Sequence, residues 1–189
     1  DLKKKFNLKS EEFKLAGVLI IFNNLLQSLF DSQIRTLGIV MVGIFIMFII
    51  LFRSIKLSLI GIIPNFIAAS FVLGFIGLLN IPLDMMTITI AAITIGIAVD
   101  NSIHYIYRFK YEKEKINSDK QDIANKCHQS VGRAIISTSF TIIFGFSILV
   151  LSNFIPTIYF GVFTGLAMFT ALFLVLTLLP NLLNLLYNK

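Results

Sequence analysis

The sequence predicts an all-α membrane protein: five transmembrane helices preceded by an interfacial amphipathic helix. Three observations predict it. Of the 189 residues, 57% are hydrophobic and only 14% are charged, where a soluble domain of this size keeps roughly a quarter of its residues charged. The apolar residues fall in long blocks, and a run of about 18 or more reads as a transmembrane helix. The polar segments between the blocks alternate between basic and base-free, which is the signature of a chain threaded back and forth through a bilayer.

The elements follow in order. Residues 1–14 are polar and charged, and 15–22 (LAGVLIIF) form an apolar run too short to span, readable as a strand that ends a soluble domain. Residues 1–22 are therefore taken as the tail of an extracytoplasmic domain. In 23–35 (NNLLQSLFDSQIR), Leu25, Leu26, Leu29, Phe30 and Ile34 recur at helical spacing with polar residues between them. That pattern predicts an amphipathic helix lying at the membrane surface. The transmembrane domain, 36–189, then has spans at about 36–52, 57–79, 85–107, 134–152 and 158–179. Pro64 predicts a kink in the second span, since it brings no backbone donor and crowds the preceding turn. Residues 80–84 make a tight turn, 108–133 a charged loop that is helical in part, 153–157 another turn, and the fifth span ends near Pro180.

Lysine and arginine in the short connections set the orientation. Arg53 and Lys56 share a side with Arg108, Lys110, Lys113, Lys115, Lys120, Lys126, Arg133 and Lys189, whereas 80–84 and 153–157 carry no basic residue. The basic side is the cytoplasmic one, and the N-terminal segment lies outside. Its five lysines run against the simple rule, but long extracytoplasmic domains cross largely regardless of charge. Tyr105, Tyr107 and Tyr111 at the basic end of the third span suit the membrane interface, where the ring is in hydrocarbon and the hydroxyl in water.

Asp100 is the residue that composition does not explain. It lies within the third span, about one turn to the cytoplasmic side of its middle. Aspartate is too short to snorkel, and an acid near the bilayer centre costs about 2.5–3.5 kcal/mol on insertion scales. Burial in hydrocarbon favours the neutral acid over the carboxylate, so a carboxyl here is suited to taking up and releasing a proton. The competing reading is a hydrogen-bonded Asp that only fixes helix packing. His104 follows at i+4 and Gly96 precedes at i−4, so Gly96, Asp100, His104 and approximately Tyr107 form one stripe. His104 is either a relay between Asp100 and the cytoplasm or an interfacial histidine. Gly96 lets a neighbouring helix come close, and Gly161/Gly165 fit the G-x-x-x-G packing spacing, with Gly74/Gly77 a similar small-residue pair. The fourth span opens Ser137, Thr138, Ser139, Phe140, Thr141. Either Thr138 or Thr141 faces Asp100, or these hydroxyls bond back to their own helix.

Other chemistries are excluded. The net charge of +6 is spent on the connections and not on a nucleic-acid face. There is one cysteine and two histidines, so neither an internal disulfide nor a dedicated metal site is expected. No Walker A loop, Rossmann fingerprint or zinc-protease motif occurs. No cofactor is implied; the energy source expected is an ion gradient. The chain opens on Asp1 with no signal peptide or span in its first thirty residues, and reads as part of a longer protein.

The stretch GIAVDNSIHYIYRF, residues 96–109, resembles the fourth-helix motif of the resistance–nodulation–division (RND) superfamily, closest to its hydrophobe/amphiphile exporters and MMPL-like proteins. Residues 22–33 resemble the entry to that family's second helix. Leu51–Ser54 and Ile63–Asn65 resemble its next loop and helix, Pro82–Thr87 the start of the Asp-bearing helix, and Gly132–Ser139 the start of the fifth. The resemblance covers nearly the whole chain and implies the last five helices of one RND half, the C-terminal one. It implies that Asp100 is the proton-relay acid and Thr138 a hydroxyl near it, with His104 beside them and Asn101, Ser137 and Thr141 in support. Many relatives carry a second acid or a tyrosine where this chain has Asn101. The implied function is export of hydrophobic or lipid-like compounds driven by the proton gradient across a bacterial inner membrane, with no enzymatic step. The implied partners are membrane lipids, the hydrophobic substrate, and the N-terminal half and extracytoplasmic domains of the same protein, with a homo-oligomer also allowed. Two other functions share the helix plan: a SecD/SecF-like translocation component, which differs at the position of His104, and a sterol-sensing or Patched-like lipid receptor.

Overall fold

The computed structural model describes residues 18–81, 85–115 and 120–187. Residues 1–17 of the tail expected at 1–22 and part of the turn at 80–84 lie outside these residues. Every element among the described residues is helical, and five helices are long and apolar enough to cross a membrane.

Helix α1 (Val18–Phe52) is a single element. The sequence divides it into a strand, a surface helix and a span, but no Pro interrupts these residues and the apolar run at 18–22 continues the helix that follows. At 1.5 Å per residue its 35 residues reach about 50 Å, well beyond a hydrocarbon core of about 30 Å. The amphipathic stretch 23–35 is thus the extension of the first span and not a separate helix. Its polar stripe, including Asn24, Gln27, Asp31 and Arg35, lines an open groove.

Arg53, in the left-handed region with φ 49°, ends α1. Ser54 then caps α2 (Ile55–Leu78), its Oγ accepting from the Leu57 N–H at 3.5 Å. The other end of α2 closes in a Schellman arrangement. Asn80 takes φ 53°, the Ile81 N–H donates to Ile76 O, and the Asn80 N–H donates to Gly77 O.

Helix α3 (Met85–Lys115) carries Asp100. A continuous helical run follows: α4 (Lys120–Cys127), a π-helical turn at His128–Gly132, α5 (Arg133–Ser147) and a 3-10 turn at Ile148–Leu151. The connection expected as a partly helical loop is therefore, from residue 120 on, the lead-in to the fourth span. Helix α6 (Ile155–Leu186) opens with Pro156 in its first turn and runs through Pro180, past the end expected there. Proline inside a membrane helix is tolerated when another group satisfies the backbone it frees.

Helix α6 is the hub, packing on α2, α3 and α5, while α1 lies against α2 and α3. At mid-bundle Ala68, Ala98 and Ala171 meet, each almost fully buried. Three small side chains let α2, α3 and α6 approach closely, which is how membrane helices gain dispersion contact without a hydrophobic driving force. Toward the Arg108 end the core widens into Phe48, Phe52, Tyr105, Ile106 and Phe109. Gly61 is required there: a Cβ would lie 2.8 Å from both Phe48 and Ile106. Toward the Asn80 end Val72, Ile76, Ile90, Phe163 and Ala167 pack together.

Of the expected glycine contacts, Gly161 makes the tightest. A Cβ there would meet Phe146 O at 2.7 Å, and the one at Gly165 would touch Ile143 at 4.0 Å. Gly96, Gly74 and Gly77 have nothing within 4 Å of a Cβ position. In those three cases small size serves no contact among the described residues, because the helix face concerned points away from the bundle.

Candidate functional site

Helix α3 divides by its 3.6-residue period into two faces. Ala91, Thr94, Ala98, Ser102, Tyr105, Phe109 and Glu112 point inward and are buried. Gly96, Asp100, His104, Tyr107 and Tyr111 point outward and are exposed. The stripe read from the sequence is thus one continuous open face. On it the His104 Nε2 lies 3.4 Å from the Asp100 carboxylate, with the two side chains 64% and 70% exposed. The pair is local to one helix turn.

The expected partners of Asp100 on α5 do not reach it. Thr138 Oγ1 donates to the carbonyls of Ala134 and Ile135, both at 3.1 Å. Thr141 Oγ1 donates to Ser137 O at 3.0 Å. Back-bonding within the helix is the outcome for both hydroxyls, and Ser137, Thr138 and Thr141 are exposed. The contact between α3 and α5 falls one residue along on each helix: Asn101 Nδ2 donates to Ser139 Oγ at 3.4 Å. Asn101 and Ser139 are both buried. Asn101 therefore joins two helices and does not pair with Asp100.

A second buried polar contact joins α3 to α2. Ser102 Oγ lies 3.3 Å from both Asn65 Oδ1 and Ala98 O, and Asn65 Nδ2 donates to Gly61 O at 3.0 Å. Asn65, Ser102 and Ser139 are residues that sequence reasoning does not single out. The available signal is weak: Asn65 follows Pro64, and Ser102 is one turn beyond Ala98 on the buried face.

At the Arg108 end, the Arg108 guanidinium pairs with Glu112, which is buried despite its charge. Arg108 also lies 5.4 Å from the centroid of the Tyr111 ring. Phe109 stacks on Tyr187 at 6.0 Å, and the Lys113 ammonium sits 3.2 Å from the Tyr187 ring centroid, tying the end of α3 to the end of α6. Burial, aided by the Glu114 carboxylate, holds the Tyr187 phenol above its usual range. Among the described residues no group of three or more His, Cys, Asp or Glu side chains is placed to hold a metal ion.

The arrangement offers one chemistry: an acid and an imidazole, adjacent and facing outward, at membrane depth on a helix whose other face is sealed. The sequence pattern of the MMPL family matches residues 7–188. A protein of Methanocaldococcus jannaschii, named only as a membrane protein, is 34% identical over 152 residues, which is 80% of this chain and 39% of that protein. The chain thus covers well under half of the relative's length. With five helices long and apolar enough to cross a membrane and a family match over nearly its full extent, the chain belongs to the MMPL family of the RND superfamily.

Proposed function

We propose that this chain is the membrane domain of an exporter of hydrophobic or lipid-like compounds driven by the proton-motive force, with Asp100 as the proton-binding group. One observation carries the reading: an Asp100–His104 pair on the open face of a membrane-depth helix. The polar groups that join helices in this bundle, Asn65, Ser102, Asn101 and Ser139, are buried and bonded across it. Asp100 is neither.

A carboxylate facing lipid costs about 2.5–3.5 kcal/mol, so lipid is a poor neighbour for this face and protein or a water-lined path a good one. The cover proposed is the remainder of the same protein or a second copy of it. Taking up a proton discharges Asp100 and weakens its contact with His104 and with whatever faces it; losing the proton restores both. The equilibrium between two helix arrangements then follows the proton gradient, provided the two arrangements bind the proton with different affinity. The energy source is that gradient, with no cofactor. The placement is a cytoplasmic membrane, with the Arg108 end in the cytoplasm by the distribution of basic residues.

The test is Asp100→Asn in the full-length protein. Asn keeps the shape and a hydrogen-bonding side chain but cannot titrate. Export, followed as efflux of a lipophilic dye from cells with an imposed pH gradient, is expected to disappear while membrane abundance stays at the wild-type level. Undiminished efflux in the variant excludes the proton-coupled reading.

A further inference from the structure

Helix α6 passes through Pro180, and proline has no N–H to give the carbonyl four residues earlier, that of Leu176. That carbonyl has another donor. The His128 Nε2 lies 2.9 Å from Leu176 O, across 48 residues of sequence. A carbonyl only accepts, so Nε2 carries the proton. On the other side of the ring, Nδ1 lies 3.0 Å from the hydroxyl of Tyr105, a fully buried residue of α3 whose ring meets the imidazole edge-on at 5.7 Å. In the neutral ring the Tyr105 hydroxyl donates to Nδ1, which fixes the tautomer that serves Leu176. The Ala124 carbonyl is 2.8 Å from the same Nδ1, so a protonated ring keeps its bond to Leu176 and turns its Nδ1–H to Ala124. The Leu176 bond survives in both states.

The setting is built to hold the ring there. His128 opens the π-helical turn, and π turns widen a helix locally and re-aim its side chains. Gly132 closes the turn with its Cβ position 3.6 Å from the Leu176 side chain, so the segment lies directly on α6.

We propose that His128 is a positioning residue that completes the backbone Pro180 leaves open, locking α6 at this level to the 120–132 segment and, through Tyr105, to the helix that carries Asp100. Three elements meet on one imidazole: α3, the lead-in to α5, and α6. A motion of α3 is thereby transmitted to α6 as a unit.

The single cysteine of this chain supplies the readout. Cys127 is fully buried beside His128, so its alkylation by a water-soluble maleimide reports opening of the joint. The experiment uses the full-length protein in native membranes, at one pH, with the Cys127 peptide quantified by mass spectrometry. His128→Ala removes the donor, and labelling is expected to rise about tenfold, the factor corresponding to one lost hydrogen bond. His128→Gln, whose amide reaches a similar distance, is expected to stay within about threefold of wild type, since it retains an N–H donor. Pro180→Ala supplies the missing N–H from within the helix, so the rise caused by His128→Ala is expected to shrink to less than about twofold in that background. Equal labelling of His128→Ala and wild type, equal labelling of His128→Gln and His128→Ala, or an undiminished His128→Ala effect on Pro180→Ala each overturns the assignment. Should His128→Ala not accumulate, the Gln variant decides alone: labelling within about threefold of wild type supports the assignment, and a rise of about tenfold, or one that persists undiminished on Pro180→Ala, overturns it. Labelling reads the joint and not transport, so failure of the Asp100 prediction leaves this one standing.

Discussion

The two faces of α3 both carry polar groups at membrane depth, and they treat them differently. On the inner face Ser102 bonds to Asn65 and to its own helix, and the neighbouring Asn101 bonds to Ser139. Each of these groups has its partner inside the bundle, as buried polar atoms require. On the outer face Asp100 and His104 have, among the described residues, only each other. The inner groups at this level, Ser102 and Asn101 with Asn65 and Ser139, are amides and hydroxyls, suited to bonds that stay made. The outer groups are ionisable, suited to bonds that change with a proton. The difference separates architecture from chemistry on a single helix, and it yields a graded set of expectations for stability measured by unfolding in detergent.

The largest effect belongs to the inner face at its tightest point. Ala98→Leu forces three more carbons into the meeting of Ala68, Ala98 and Ala171. Overpacking of this kind costs about 1–3 kcal/mol, and the variant is expected to unfold at clearly lower temperature. An unshifted midpoint would mean the three helices are not in contact there.

Next comes the polar clasp. Asn65→Ala removes the acceptor of Ser102 and the donor to Gly61, while Ser102 keeps Ala98 O. The expected loss is about 1 kcal/mol. Asn101→Ala removes a longer, single bond to Ser139, and interhelical bonds in membranes average about 0.6 kcal/mol. The ordering Ala98, Asn65, Asn101 is the prediction; an Asn101 effect larger than that of Asn65 would show that Asn101 does more than join α3 to α5.

The sequence makes the spans legible because hydropathy and charge act locally: five apolar blocks, separated by polar connections, leave little freedom. It makes Asp100 legible for the same reason, as an acid in a block that excludes acids. What it hides is the rotation of one helix against another. Thr138 and Ser139 are equally plain as hydroxyls, but they lie about 100° apart around α5, and only packing decides that Ser139 faces α3. The same holds for Asp100 and Asn101. The Asn65–Ser102 contact joins residues 37 apart and leaves no periodic trace. The boundary errors have local causes. Residues 18–22 are too few to span on their own and read as a strand, but they are contiguous with an uninterrupted helix. Pro180 reads as a stop, and α6 continues because His128, far off in sequence, satisfies the carbonyl the proline frees.

The smallest expected effect lies on the outer face, and it is the one that tests what covers Asp100. Gly96 is one turn from Asp100 on the open stripe, with no atom within 4 Å of a Cβ position. The Cβ of Gly96→Leu therefore meets no described atom of this bundle, and its stability is expected to stay within about 0.5 kcal/mol of wild type. Replacing glycine within a helix even recovers some backbone entropy. Transport by the full-length protein responds differently according to what lies opposite. If the stripe faces lipid, a leucine is as welcome there as an acyl chain, and efflux is unchanged. If a protein helix packs on it, four added carbons at a close-approach glycine hold that helix away, and efflux falls even though Asp100 and His104 are intact. The reading favoured here is the second, because a lipid-facing carboxylate carries a penalty that a protein cover removes. Unchanged stability together with reduced efflux in Gly96→Leu is the expected outcome. Unchanged efflux would place the stripe against lipid or open water and remove the helix contact from the coupling scheme.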